Sequence, residues 1–410
     1  MSGIVLSAAV RQNLLSLQDT ASLLSTTQNR LATGNKVNSA LDNPTNFFTA
    51  QGLNNRASDI NNLLDSIGNG VQVLQAANTG LTSLQKLVDT AKSIANQVLQ
   101  APTGYTSKAN VTTSAPTGAL LAGIAGTATD LTNAGTNSLQ GQALVFKTST
   151  GTLTLSIDNT AGATHVNSLD AINTALTTAG IGLAATFNAT GTLTFTSTND
   201  NAAQVITNSA TAPTTADAVA ISGGAAITGL SVNAAIVDVA SQAIRTSLVG
   251  QYNNIITQIT TTSHDASFNG INLLSGDNLK LTFDETGKST LNITGVSYDA
   301  TGLGLASLTT GTDFLDNSSA NTALTKLGAA STTLRTEASA LGSNLSVVQL
   351  RQDFNKSLIN VLQTGASNLT LADANEEAAN SQALSTRQSI AVSALSLANQ
   401  SQQSVLQLLR

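Results

Sequence analysis

The stretch Leu53-Asn54-Asn55-Arg56-Ala57-Ser58-Asp59-Ile60-Asn61-Asn62-Leu63-Leu64-Asp65-Ser66-Ile67-Gly68-Asn69-Gly70-Val71-Gln72-Val73-Leu74 decides the fold. In it Leu53, Ala57, Ile60, Leu64, Ile67, Val71 and Leu74 recur at alternating spacings of 4 and 3. A half-buried strand would place apolar residues at every second position. This spacing instead lines them up on one stripe of an α-helix, as a heptad repeat does. After a single three-residue step, which acts as a stammer, the stripe resumes through Ala77, Leu81, Leu84, Val88, Ala91, Ala95 and Val98. A helix over 45–100 makes a rod of roughly 80 Å at 1.5 Å per residue. Gly52, Gly68, Gly70 and Gly80 lie inside it, each costing about 1 kcal/mol relative to Ala. They either admit a close neighbour or break the rod.

Moving toward the N-terminus, residues 4–32 contain no Pro or Gly. Val10, Leu14, Leu17, Ala21, Leu24 and Leu31 follow at spacings of 4, 3, 4, 3 and 7, with Gln28 at the skipped position. Thr33-Gly34-Asn35 ends this helix, Gly34 being suited to a left-handed C-cap. A polar connector leads to Asp42 or Asn43 as N-cap of the long helix, with Pro44 in its first turn. The C-terminal third mirrors the arrangement. Leu334, Ala338, Leu341, Leu345 and Val348 form one seam, and Phe354, Leu358 and Val361 continue it after a phase slip. Gly365 marks a break, and Leu384, Ala391, Leu395, Ala398, Val405 and Leu409 form a final seam. Stripes this narrow do not hold an isolated helix together in water. The two chain ends are therefore expected to pair with each other and with other molecules.

The middle differs in kind. Residues 101–235 are rich in Thr, Ala, Gly, Asn and Ser, and no Lys or Arg occurs between Thr148 and Ile244. Strand alternation appears at Leu144 to Lys147 and at Leu153, Leu155 and Ile157, around a Ser149-Thr150-Gly151 turn. A short helix follows, with Ser168 as its cap and Leu169, Ile172 and Leu176 on one face. A second hairpin runs from Leu183 to Asn188 and from Leu193 to Thr196, around Thr190-Gly191. Residues 201–235 are of low complexity and read as loops with one strand at most. Helical spacing returns at Val237, Ala240, Ile244, Leu248, Ile255 and Ile259. Asn269-Gly270 marks a turn. Leu279, Leu281 and Phe283, with Leu291 and Ile293, flank Glu285-Thr286-Gly287 as a hairpin.

Composition narrows the chemistry. The 410 residues include no Cys, which excludes a disulfide framework, a Cys-ligated metal and a thiol nucleophile. Charged residues are 10% and the net charge is -6, against the basic patches that nucleic acid requires. His165 and His264 are isolated, so no zinc site is expected. No phosphate-binding loop is present, and Gly180-Ile181-Gly182 and Gly302-Leu303-Gly304 read as turns. Glu376 and Glu377 are adjacent on a helical pattern and point apart. They read as a solvated face or an interhelical salt bridge. No metal, cofactor or catalytic residue is expected, and no enzyme. The first basic residue is Arg11 and no apolar stretch reaches 18 residues, so neither a secretory signal peptide nor membrane insertion is expected.

Several separate motifs, in order, resemble bacterial flagellin, the subunit of the flagellar filament. The N-terminal run Leu23-Leu24-Ser25-Thr26-Thr27-Gln28-Asn29-Arg30-Leu31-Ala32-Thr33-Gly34-Asn35-Lys36-Val37-Asn38, then Ala40-Leu41-Asp42-Asn43-Pro44, is one. Leu369-Thr370-Leu371-Ala372-Asp373-Ala374-Asn375-Glu376-Glu377 through Ala398-Asn399-Gln400-Ser401, ending Val405-Leu406-Gln407-Leu408-Leu409, is another. Tyr252-Asn253-Asn254-Ile255 and Phe268-Asn269-Gly270-Ile271-Asn272-Leu273-Leu274 look like the helix and turn before the family's hairpin.

The resemblance implies a mainly α fold with an α+β insertion, divided into three parts. Residues 1–44 with 366–410 are the inner-core terminal helices, paired as an antiparallel coiled coil. Residues 45–100 with 236–365 are a long-helix bundle with a β-hairpin, and 101–235 are a small Thr/Gly-rich, surface-exposed outer domain. It implies self-assembly into a helical homopolymer for motility, with the seam residues Val10, Leu14, Leu17, Leu24, Leu31, Ala391, Leu395, Ala398, Val405 and Leu409 as the interface. Gly34, Asp42, Asn43 and Pro44 become the inter-domain connector. The implied partners are other flagellin subunits, hook-junction and cap proteins, and an export chaperone at the C-terminal helix. Export through the flagellar secretion channel is implied, without a cleaved signal peptide. A hook–filament junction protein and a surface adhesin are the alternatives. One departure stands out. Where flagellins sensed by the mammalian innate receptor typically carry Leu-Gln-Arg-x-Arg-Glu-Leu, this chain has Leu84-Gln85-Lys86-Leu87-Val88-Asp89-Thr90. With Gln85, Lys86, Val88 and Asp89 in a degenerate segment, weak receptor activation is expected.

Overall fold

A computed structural model describes residues 8–113, 131–132, 139–160, 162–187, 192–214, 218–223 and 229–408. The helices are α1 (Ala8–Thr33), α2 (Pro44–Gln100), α3 (Leu169–Thr178), α4 (Val239–Asp265), α5 (Asn317–Thr370) and α6 (Ala374–Leu408). The strands are β1 (Tyr105–Ser107), β2 (Asn110–Thr112), β3 (Ala143–Lys147), β4 (Thr152–Ile157), β5 (His165–Val166), β6 (Leu183–Phe187) and β7 (Leu193–Ser197). They continue with β8 (Val205–Asn208), β9 (Ala218–Gly223), β10 (Ser231–Asn233), β11 (Ile236–Val237), β12 (Leu279–Thr282) and β13 (Thr290–Ile293). The chain divides into two compact units. One comprises residues 1–72, 280–293 and 344–410, and the other 73–279 and 294–343.

In the first unit, Ala57 and Ile60 of α2 pack on Ile359 and Leu362 of α5, flanked by Leu53, Leu64 and Leu358. The β12–β13 hairpin docks on the same helices. A Cβ at Gly70 would come within 2.3 Å of Leu281 Cδ2, so the glycine makes room for the Leu281 side chain against α2. At the hairpin end, Arg56 Nε lies 2.6 Å from Glu285 Oε1. The Asn355 amide donates to the Phe283 carbonyl at 3.0 Å, and the Arg351 guanidinium lies 5.9 Å from the Phe283 ring centroid. Two expectations for α5 are corrected. The helix runs through Gly365 without a break. Its stripe also keeps phase: Val348, Asn355, Ile359, Leu362 and Ala366 are buried, while Phe354 and Val361 are exposed. A polar residue holds a seam position because the hairpin supplies its hydrogen-bond partner, and the apolar residues beside it face out.

In the second unit, α2 carries its stripe on through Leu74, Ala77, Leu81, Leu84, Val88, Ala91, Ala95 and Val98, all buried. The helix is unbroken. A Cβ at Gly80 would lie 2.6 Å from Ala266 Cβ and 2.7 Å from Leu274 Cδ1, so this glycine also serves close packing. Helix α4 differs from expectation. Ile244 is 53% exposed and Val237 lies on β11, whereas Arg245 is 0% exposed. The Arg245 guanidinium donates to the carbonyls of Val98 (3.0 Å), Ala101 (3.0 Å), Pro102 (2.7 Å), Phe314 (2.7 Å) and Asp316 (3.2 Å). It also donates to Asn317 Oδ1 at 3.1 Å. It thereby satisfies the C-terminal carbonyls of α2, which a helix end leaves without partners. The expected Asn269-Gly270 turn is present with positive φ of 50° and 79°, closed by reciprocal bonds between Phe268 and Ile271 at 3.0 Å.

Within this unit, residues 105–237 form the insertion, entered and left through the antiparallel pair β1–β11. The sheets run β10-β2-β7-β6 and β5-β4-β3-β9-β8. Both expected hairpins form, with Phe146 opposite Leu153 and Phe187 opposite Leu193. The turn Thr190-Gly191 of the second lies outside the described residues. The sheets share one core, in which the Phe146 and Phe195 rings meet edge to face at 5.2 Å. Strands β8 and β10 bring two sheet edges together, and α3 packs against the opposite edges β5 and β6. Ser168 caps α3 as expected, accepting from Ala171 N at 3.2 Å. The Asn173 side chain then occupies the β6 edge. Its amide donates to Ala185 O at 3.1 Å and its oxygen accepts from Ala185 N at 2.7 Å. The reading of 201–235 is corrected, since β8, β9 and β10 lie there. Strand β9 is buried from Ala218 to Ile221 between β3 and β8, so it shows no alternation.

Candidate functional site

The terminal helices form the candidate site, within the first unit. Helices α1 and α6 pack along one another antiparallel, joined near one end by three backbone bonds. Lys36 and Val37 N–H donate to Thr370 O at 2.7 and 3.3 Å, and Ala372 N–H donates to Gly34 O at 2.9 Å. Gly34 takes φ +72°, as a helix-ending residue does. The connector then turns on Asp42, whose carboxylate accepts from Ser39 N at 2.8 Å, Asn38 N at 3.0 Å and Ser39 Oγ at 3.1 Å. The Ser39 amide first, then the Asn38 amide and the Ser39 hydroxyl, hold this carboxyl below its ordinary value. Of the two proposed caps it is Asn43 that accepts from Asn46 N, at 3.0 Å, and Pro44 opens α2.

The seam residues divide. Val10 is 3% exposed, and Leu17, Leu24, Ala391, Leu395 and Ala398 are half-buried. Leu14 at 37% and Leu31 at 42% are exposed. Val405 belongs to α6 but its side chain, like Leu409, lies outside the described residues. Between Val10, Leu17 and Leu24, the inward positions are filled by Thr20 and Thr27, both buried, rather than by Ala21 or Gln28. Their signal in the sequence was the same 3–4 spacing, hidden by polar residue type. At one end of the pair, Arg30 Nη1 meets Glu377 Oε1 at 3.2 Å, and Glu377 is 8% exposed. The interhelical salt bridge allowed for at Glu377 is therefore present, while Glu376 is exposed.

The pair leaves much apolar surface open. Leu15, Leu23, Ile390, Val392 and Leu397 are exposed alongside Leu14 and Leu31, with Leu397 at 70%. A narrow inward stripe with exposed apolar residues on the outward side makes this helix pair a candidate interaction surface. Chemistry has no comparable place. Among the described residues no group of three or more His, Asp or Glu could hold a metal ion, and no helix is long and apolar enough to cross a membrane. His165 Nδ1 lies 2.9 Å from both Asp158 oxygens, and the His264 ring Nδ1 lies 3.2 Å from the Ser275 hydroxyl. In the degenerate segment, Lys86 and Asp89 are exposed, Gln85 donates to Asp89 Oδ1 at 3.1 Å and Ser331 Oγ at 2.9 Å, and Val88 is turned into the core.

Known proteins share the two ends. Residues 5–116 match the bacterial flagellin N-terminal helical region, and residues 324–409 match the bacterial flagellin C-terminal helical region. Flagellin FljM of Caulobacter vibrioides is 32% identical over 165 residues, covering 40% of this chain and 59% of that protein. Flagellin FljO of the same organism is 30% identical over the same length and shares. Flagellin A of Rhizobium meliloti is 40% identical over 82 residues, 20% of this chain and 21% of its own. The chain thus spans about three fifths of the length of the Caulobacter relatives. With both terminal regions matched, and paired in space as α1 and α6 with the long helices following on, the chain belongs to the bacterial flagellins.

Proposed function

We propose that this chain is a structural subunit that self-assembles into the helical filament of the bacterial flagellum and so serves swimming motility. The observation that carries the reading is the exposed apolar surface of the α1–α6 pair, Leu14, Leu23, Leu31, Ile390 and Leu397 above all. Copies that cover this surface through contacts between unlike patches, repeated without closing, generate a helix. Val10, Leu17, Leu24, Ala391, Leu395 and Ala398 hold the pair together, while Val405 and Leu409 extend the C-terminal seam. The family is one of structural proteins, and no chemistry is assigned to this chain. In this reading the terminal pair forms the inner core, the long helices and hairpin the next shell, and the Thr- and Gly-rich insertion faces outward. Export follows the flagellar channel to the cell exterior. Other flagellins, hook-junction and cap proteins, and a chaperone on α6 are the partners. The segment around Gln85, Lys86, Val88 and Asp89 activates the innate receptor weakly, which its buried valine supports.

The test is electron microscopy of sheared surface appendages, with peptide mass analysis of the main component, for the unmodified chain and for Leu397→Asp. This chain should dominate the filaments. Because Leu397 is exposed in the single chain, the substitution should leave the fold intact while placing an unpaired charge in the covered interface. Filaments of normal yield from Leu397→Asp would overturn the assigned face.

A further inference from the structure

We propose that the Arg30–Glu377 ion pair sets the axial register of α1 against α6. The proposal rests on the assembly reading only for its consequence, not for its geometry. Most inward residues of the pair are small or polar: Thr20, Thr27, Ser381, Gln388, Ala391 and Ala398. A slip of one heptad would replace such residues by others much like them, so packing distinguishes the registers poorly. Polar groups held in a helix seam can decide register where apolar packing does not. Beside the backbone bonds from Lys36, Val37 and Ala372 at the same end, the ion pair adds a side-chain contact 3.2 Å long, with the Glu377 side chain 10% and the Arg30 side chain 38% exposed. Arg30 lies in the last turn of α1 and Glu377 in the first turn of α6. Each charge thus sits at the helix end whose dipole favours it, and the two ends meet only in an antiparallel pair aligned as observed. Slipping by one heptad, about 10.5 Å at 1.5 Å per residue, would set Glu377 level with Leu23 or Val37 and Arg30 level with Leu384 or Thr370. Either arrangement leaves a carboxylate without a counterion. The register matters because the outward apolar residues sit on both helices. Leu23 of α1 and Ile390 of α6 are both exposed, and how far apart they stand along the pair is set by the offset of the two helices.

The absence of Cys makes the register directly readable by cross-linking in the full chain. Leu24→Cys with Leu384→Cys reports the observed alignment, and Leu24→Cys with Ala391→Cys reports a slip of one heptad. Each pair is placed in the otherwise unmodified chain and in Arg30→Glu, Glu377→Arg, the double exchange, and Arg30→Gln with Glu377→Gln. Disulfide formation is scored on gels before and after polymerisation. The expected result is loss of the first cross-link and gain of the second in each single variant, with filament yield reduced about tenfold or more. The double exchange should restore both readouts. Unchanged cross-links in the single variants or in the neutral pair overturn the proposal, whatever the filament yield. If the unmodified chain forms no filaments, the assembly reading fails and the cross-links alone decide the register.

Discussion

Replacing Arg245 by Met tests the most unusual feature of the second unit. The guanidinium is wholly buried and makes six hydrogen bonds, five of them to backbone carbonyls. Burial pulls it below the ordinary guanidinium value, yet arginine starts so high that it keeps its proton at neutral pH. Met fills most of the same space and offers no donor. The bonds to Val98 O and Phe314 O are fully buried, while the others are partly buried and can turn to water. Two buried acceptors left without partners cost about 1–3 kcal/mol each. The relief of no longer burying a charge offsets part of this, leaving a loss of about 1–4 kcal/mol. For a folded unit of this size that lowers Tm by roughly 2–16 °C. Thermal and denaturant unfolding followed by far-UV circular dichroism gives the global figure. Hydrogen exchange at residues 98–104 and 314–319 localises it. Arg245→Lys, with three donors on a single nitrogen, should recover only part of the loss. A Met variant within about 0.5 kcal/mol of the unmodified chain, or full rescue by Lys, would refute the account.

Three further perturbations follow from geometry already described. Asn173→Ala frees the Ala185 N–H and C=O on the β6 edge, so light scattering should show self-association with little change in circular dichroism. Gly70→Ala puts a methyl group about 2.3 Å from Leu281. The hairpin must shift at a cost of about 1–3 kcal/mol, seen as faster exchange at the amides of 279–293. The Asp42 carboxyl is held below its ordinary 3.8, chiefly by the Ser39 amide. Its contribution is therefore full above that value and is lost as pH falls through the lower folded value. Asp42→Asn should flatten the acid limb of the unfolding curve below about pH 3.8 and lower stability at neutral pH, so that the two chains converge only in acid.

The sequence was legible wherever apolar type and helical spacing coincided. Ile60, Leu74, Leu84 and Val98 lie where the heptad placed them because nothing but water competed for their faces. It misled where a core position is polar. Asn355, Thr20, Thr27 and Arg245 are buried, and Asn355, Thr20 and Arg245 are satisfied by partners that spacing cannot reveal: a hairpin carbonyl, the residue's own helix backbone and the end of another helix. Their apolar neighbours Phe354, Val361, Ala21 and Ile244 then looked like the seam. Strand β9 escaped for the opposite reason, since Ala218, Val219, Ala220 and Ile221 are buried on both faces. Part of the assembly surface was legible and part was not. Leu14 was visible as a seam residue, but that it stays exposed depends on which of two adjacent stripes the partner helix takes, while Leu31, one heptad after Leu24, is exposed near the end of α1.

The way each unit is assembled from separate stretches dictates an order of events during synthesis. The bonds from Lys36 and Val37 to Thr370 close a loop of more than three hundred residues. Helix α1 has its partner, and α2 its packing against α5, only after residues 344–408 have been made. Strands β1 to β11, by contrast, find every sheet partner among themselves. Contacts so distant in sequence form late, so the insertion can fold while α1 still waits, and the arrival of residues 344–408 determines when α1 finds its partner.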